Sequence, residues 1–525
     1  WVVMKAIAKD RRLRYSSASE LAADLRRYLD DVPVLAGPPR AFYHVRKTIW
    51  RHRWVALAIG ATVTVLLVAG ALVLQSRTEE STTRTLLEAL WRDLEVLALE
   101  SATERQSVAV GDLWPALPSE IPRFEEWLER SSLLTDRVAE LERRLLDDNG
   151  LQEFLGTQDD TARSVRHYLR QGIEERLAQL RALRENVDEV ERRAALARET
   201  ERVTLAEHGD RWRAAIASIS DRRECPSYHG LVIAPQVGLV PLGRDPRSGL
   251  HEFAHWQSGR IPRRDLESQE LIIEPESALV FVLIPGGEFT MGIDPSVRRP
   301  DIVVYQLYGP PVRRELDPYL ISKYEMTEAQ WARSIGEPPG GTARFGDDDE
   351  PNPMRPVSFV SWVDAHTGLR RLGLEIPTEA QWENAARAGT TDVWFTGDTA
   401  ASLEGYANLA DQSASGKLRF ELERFEPWDD GFAWSAPIGS FSPNRYGLHD
   451  VTGNVHEWCR DVLGVYAHPF LPGTGEIQGD RPDQRVVRGG SFAGLARNSH
   501  IAFRIPQPID ARVRSVGIRP ALRVR

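Results

Sequence analysis

The chain has 525 residues, 42% hydrophobic and 27% charged, which is long enough for several domains and apolar enough for packed cores. With 66 Lys and Arg against 76 Asp and Glu the formal charge is −10, which argues against a dedicated nucleic-acid binder. Two cysteines exclude a disulfide-rich scaffold and any zinc site built from four cysteines. Residues 1–53 hold 12 basic and 5 acidic side chains, so the remainder is strongly acidic. Residues 54–74 (WVALAIGATVTVLLVAGALVL) carry no charge at all. As a helix they would run about 31 Å, matching a hydrocarbon layer of ~30 Å. The flanking Arg46, Lys47, Arg51 and Arg53 predict a single-pass membrane protein with residues 1–53 cytoplasmic and the C-terminal part extracytoplasmic, membrane lipid being the partner of 54–74.

Before that stretch, Ser17 to Leu25 reads as a short amphipathic helix whose Leu21, Leu25 and Leu29 face needs a packing partner. WVVMKAIAKDRRLRYSSASELAADLRRYLD resembles the end of the catalytic domain of bacterial Hanks-type serine/threonine kinases, with Arg14 at the arginine that in that family pairs with an activation-segment glutamate. The resemblance implies that the ATP- and magnesium-binding segments precede Trp1, so the chain is expected to be a piece of a longer kinase that does not phosphorylate by itself.

Residues 79–221 are rich in Leu, Glu, Arg and Ala and predict a helical stalk or bundle. Leu86, Leu90, Leu94 and Leu97 mark a first helix, and Phe124 to Leu145 a second. Val165 to Leu183 mark a third that continues toward Trp212. Heptads do not persist long enough to specify a coiled coil, although self-association through this stalk is a candidate role. Residues 222–278 read as a linker with short strands. Within it HEFAH (His251, Glu252, His255) satisfies the HExxH zinc pattern, which requires both histidines on one helical face. Gly249, Gly259 and nearby prolines leave no room for that helix, so a loop or hairpin is expected there.

From 279 to 525 Gly, Trp, Asn and Pro become dense, predicting an irregular α+β domain. Thr327 and Thr378 read as N-caps of two helices, the second (TEAQWENAARAG) with Gln381 in capping-box position and Gly389 at its end.

The ordered blocks PGGEFTMG (285–292), YEMTEAQW (324–331), PVSFVSWVDA (356–365), IPTEAQWENAARAG (376–389), GSFSPNRYGLHDVTGNVHEWCRD (439–461) and RVVRGGSF (485–492) resemble the formylglycine-generating enzyme, or sulfatase-modifying factor, family. The resemblance implies a C-type-lectin-like fold variant and, in the family's enzymes, oxidation of a sulfatase cysteine to formylglycine with oxygen and a copper ion held by two cysteines. Those cysteines follow the RGGS block with four residues between them. This chain has none after Arg488, and a serine hydroxyl such as that of Ser499 does not replace a thiolate toward Cu(I). Copper is therefore not expected, and no catalytic residue is assigned. Cys225 and Cys459 read as single buried thiols. His449, His456, His468 and His500 read as surface or core histidines, with His456 standing where the family commonly has tryptophan.

The resemblance also implies structural calcium, at Asn408, Leu409, Asp430 and Phe432 and at Asn454, Val455 and Glu457. These supply the amide, carboxylate and carbonyl oxygens that calcium prefers. Trp394, Trp434, His456, Ser499 and Arg504 form a candidate pocket, to which Phe395, Tyr406 and Trp428 would add aromatic surface. Taken together the sequence predicts a non-catalytic extracytoplasmic binding or sensor module of a membrane-anchored kinase, for an unidentified ligand. The alternative is an oxygen-dependent metalloenzyme of the same family.

Overall fold

A computed structural model describes residues 113–132, 160–293, 310–338, 340–341, 351–417 and 425–524, together with Lys5, 20–24 and Val110. Apart from Lys5 and the helical residues 20–24, the kinase-like segment lies outside the described residues, as do the apolar stretch 54–74 and the first stalk helix. Among the described residues no helix is long and apolar enough to cross a membrane. The chain divides into two compact units, Trp1–Glu100 and Ser101–Arg525.

In the second unit, α1 (Asp160–Glu201) runs through a π-helical turn (Arg202–Glu207) toward α2 (Gly209–Ser220). Leu183, Val190, Ala194 and Ala197 recur at helical spacing on α1 and bury Phe124 and Trp127 of the helical stretch 121–132. Arg193 fastens the pair by donating to the carbonyls of Val110 (3.0 Å) and Leu113 (3.2 Å). On α2, Trp212, Ala215 and Ile219 join the main hydrophobic core, the Trp212 ring 5.3 Å from that of Phe253. The helical segment thus ends as the cover of a sheet, because an apolar face at that spacing has nowhere else to be buried.

That sheet has five antiparallel strands in the order β1 (Leu239–Arg244), β2 (His251–His255), β5 (Val280–Ile284), β8 (Tyr319–Ser322) and β13 (Ala521–Arg523). Residues 222–278, read above as a linker, therefore contribute two strands of the same sheet as 279–525, plus the small hairpin β3 (Arg263–Arg264) and β4 (Leu271–Ile272). A second hairpin pairs β6 (Gly287–Met291) with β7 (Val312–Leu316). Four more strands form a separate sheet in the order β11 (Ile505–Pro508), β10 (Arg481–Arg488), β9 (His456–Leu463), β12 (Val516–Gly517). The central strands β2 and β5 are buried along their whole length, as covering on both faces demands.

HEFAH is β2 itself. His251 Nε2 lies 3.0 Å from Ser218 Oγ, His255 Nε2 lies 3.1 Å from the Leu372 carbonyl, and Glu252 pairs with Lys323 and Arg264. A strand cannot supply the helical spacing of a zinc peptidase, and these three side chains have core partners instead.

Three short helices, α3 (Glu328–Ser334), α4 (Trp362–Arg371) and α5 (Glu379–Arg387), each begin with a reciprocal capping box, at Thr327 and Gln330, Ser361 and Asp364, and Thr378 and Gln381. The first and third are the helices expected from sequence. The second begins inside PVSFVSWVDA, where only Ser361 and Asp364 signal it.

Candidate functional site

Helix α5 is buried almost throughout, charged residues included. Glu379 and Glu383 are fully enclosed and receive Arg488, 2.7 Å from Glu379 and also bonded to Glu383, while Arg504 reaches Glu379 at 2.6 Å. Arg387 closes the group on Glu383 at 2.9 Å. Beside it Asp461 accepts the backbone N–H groups of Glu379 (2.6 Å) and Ile477 (2.7 Å), and burial pushes its carboxyl up to about 7. A buried charge persists only when paired in this way, so the network aligns α5 with β9 and β10.

Arg488 ends β10 and leads into Gly489 and Gly490. A Cβ on Gly490 would lie 2.0 Å from Ser499 Oγ, so only glycine lets the 499 segment approach here. Gly494 and Ser499 are the positions after the RGGS block with four residues between them that face each other. A Cβ on Gly494 would stand 3.7 Å from Ser499 Oγ. Ser499 is fully buried and donates to the Leu495 carbonyl at 3.1 Å. The pair offers no sulfur, and Cys459 and Cys225 are separate buried thiols, the former pushed well up by burial. The donor set does not fit Cu(I).

The loops carrying the first oxygen-rich set behave differently. Asn408, fully buried, donates from Nδ2 to the Trp434 carbonyl (2.9 Å) and to Asn454 Oδ1 (3.2 Å), which fixes the amide orientation and leaves Oδ1 buried without a partner. Asp430 accepts the N–H groups of Leu409 (3.0 Å) and Phe432 (2.8 Å), and burial together with Asp411 pushes its carboxyl up to about 7. An orphaned amide oxygen and, on the loop bonded to the next residue, a carboxyl that resists ionisation are each what a hard cation would relieve. Asn408 and Asp430 thus fit calcium, which would supply positive charge and tie two loops together, with the carbonyls of Leu409 and Phe432 completing the set that the resemblance implies.

The second set is engaged by the protein itself. Asn454 donates to Glu325 at 2.6 Å, and its Oδ1 also accepts from Ala436 N at 2.8 Å. The Val455 N–H donates to Glu325 at 3.2 Å. Glu457 is clasped by Arg519 on both oxygens (2.7 and 2.9 Å) and accepts from Trp382 Nε1 at 2.6 Å. Burial with Asp450 and Glu457 nearby pushes Glu325 far up, and Asp450 rises to about 6.

Sequence reasoning did not single out Asp411, Glu325 or Asp450, and read Arg519 only as a polar residue after Arg488. Glu325 lay inside a quoted motif, and Asp411 was signalled by the Asp-x-Ser turn it makes with Ser413, whose N–H it accepts at 2.9 Å.

The candidate pocket residues each pack or pair within the domain. Trp394 is fully buried with Trp428, Leu403, Ala407 and Leu409 in a small core, and Trp434 meets Phe492 edge-on at 6.4 Å. Phe395 and Tyr406 meet edge-on at 6.0 Å, Tyr406 partly exposed. His456 is held neutral by burial, its pKa lowered to about 4, and Arg504 belongs to the α5 charge network.

A family model described as sulfatase-modifying factor enzyme 1-like domain matches residues 269–524. The chain is 28% identical over 310 residues to a formylglycine-generating enzyme of Thermomonospora curvata, a match covering 50% of this chain and 96% of that protein. It is 28% identical over 172 residues to the inactive C-alpha-formylglycine-generating enzyme 2 of Bos taurus, covering 32% of this chain and 50% of that protein. It is also 28% identical over 158 residues to serine/threonine-protein kinase pkn1 of Chlamydia pneumoniae, covering 28% of this chain and 21% of that protein. Motif order, the α+β architecture and these matches agree: residues 269–524 form a domain of the sulfatase-modifying factor type.

Proposed function

We propose that this domain is a binding or sensor head without copper-thiolate chemistry, carried outside the cytoplasm by a membrane-anchored serine/threonine kinase. The observation that carries the reading is the facing pair Gly494 and Ser499, which puts no sulfur where the family's enzymes hold copper. The likeness to a protein named as inactive and to one named as a kinase supports it. The apolar stretch 54–74 and its basic flank support the membrane anchor. One calcium ion at Asn408, Leu409, Asp430 and Phe432 would stiffen the head's loops.

The second reading, an oxygen-dependent metalloenzyme of the same family, is favoured by the 96% coverage of the Thermomonospora curvata enzyme. Metal analysis with and without chelator separates the two. The first reading expects calcium alone and no oxygen uptake when Cu(I) and a cysteine peptide are added. Stoichiometric copper or iron accompanied by aldehyde formation on the peptide would overturn it. Gly494 lies outside the positive-φ region and its Cβ would meet only ordinary contacts, so Gly494→Cys with Ser499→Cys should fold and restore tight Cu(I) binding, read by competition with a Cu(I) chelator.

A further inference from the structure

A cavity of about 780 Å³ lies between α2, β1, β2 and the β3–β4 hairpin, with all but one of its wall residues preceding the family-matched domain. Its walls carry Arg211, Arg244, Arg263 and Arg264 against one acid, Glu224. Arg264 is committed to Glu252 and to the carbonyls of Leu242 (3.2 Å) and Gln269 (2.9 Å). Arg244 reaches the Glu224 carbonyl at 3.1 Å and its carboxylate only at 3.4 Å. Among the described residues Arg211 and Arg263 have no ion-pair partner. Leu242, Ile261, Pro262 and Leu271 add apolar surface between the charges.

His251 supplies a further polar atom. It is 3% exposed, lines the cavity, and has a buried Nδ1 without a partner. Ser218 Oγ donates its single hydrogen to Glu224 at 2.6 Å, so His251 Nε2, 3.0 Å away, carries the proton shared with Ser218. Nδ1 is then an unfilled acceptor. Two unpaired guanidinium groups and an apolar wall within one cavity of ligand size are complementary to an anion with an apolar body, while the Nδ1 acceptor would suit a hydrogen-bond donor carried elsewhere on the ligand.

We propose that this cavity binds a small organic anion, a phosphate or carboxylate on an apolar group, at a site separate from the loops of the sulfatase-modifying-factor-type domain. Unlike the reading above, this one requires neither calcium nor a kinase. Isothermal titration of the full chain in uncharged detergent, with phenyl phosphate and phenylacetate as probes, tests it and distinguishes the two headgroups. At least one probe should bind, and more tightly than inorganic phosphate. Arg211→Glu and Arg263→Glu, both exposed and free to vary without unfolding the core, should each weaken it about tenfold. Arg213→Glu, on the same helix but paired with Asp210 and outside the cavity, should leave it unchanged. Failure of both probes to bind, equal affinity for inorganic phosphate, or equal losses in all three variants would overturn the proposal.

Discussion

Replacing Arg519 by Met tests whether buried charge pairing holds the domain together. Arg519 is 1% exposed and donates to Glu457 on both oxygens and to the carbonyls of Ser322 (3.1 Å), Lys323 (3.0 Å) and His449 (2.8 Å). Met fills much of the volume but strands Glu457 beside Glu325 and Asp450, with no cation in contact. Breaking a buried pair from one side costs about 3–5 kcal/mol, and the three carbonyls left without a donor push the effect to the upper end. With a urea slope of roughly 3 kcal/mol per M, the unfolding midpoint should fall by about 1.5 M at pH 8, read by tryptophan fluorescence. The loss should shrink at pH 5. Without Arg519 the folded-state carboxyls bind protons more readily than the unfolded ones, so acid stabilises the variant relative to wild type. Arg519→Met combined with Glu457→Met should recover part of the loss, because the stranded Glu457 charge is gone. A midpoint shift below about 0.3 M at pH 8, or a double variant no better than the single one, would refute the reasoning.

Calcium should raise the melting temperature more at pH 8 than at pH 5. Burial and Asp411 push the folded Asp430 carboxyl up to about 7, above the ordinary aspartate value of about 3.9, so its stabilising contribution is complete at low pH and is lost as pH rises through that interval. A bound cation offsets this ionisation cost, and Asp430→Asn should abolish the pH-dependent part of the gain in a thermal shift measurement. Thr378→Ala removes the α5 cap, which accepts from Gln381 N at 3.0 Å and donates to the Thr474 carbonyl at 2.7 Å. A loss of about 1–2 kcal/mol in urea unfolding is expected, and a loss under 0.3 kcal/mol would refute a capping role.

Much of the domain was legible in the sequence where the signal is local. The caps at Thr327 and Thr378 depend on a hydroxyl three residues before an amide, so reading them needs only a short window. HEFAH shows where a short window fails. Five residues match a zinc pattern, yet the same residues form a central strand whose Glu252 answers Lys323, 71 residues away. The candidate pocket residues show the same limit: what Arg504 pairs with depends on Glu379, 125 residues away, which no short window reveals.

By itself the sequence determined the likeness of residues 269–524 to the sulfatase-modifying factor family, the absence of a sulfur pair after Arg488, and the caps at Thr327 and Thr378, because each is a matter of residue type at fixed spacing. Only the tertiary structure decided that Glu457 answers Arg519 and that Asn408 keeps an unsatisfied oxygen. It also brought the arginines of α2, β1 and β3 around one cavity. Those outcomes depend on which charges meet across long loops, and in a buried setting the nearest counter-charge, rather than the residue type, settles what a side chain does.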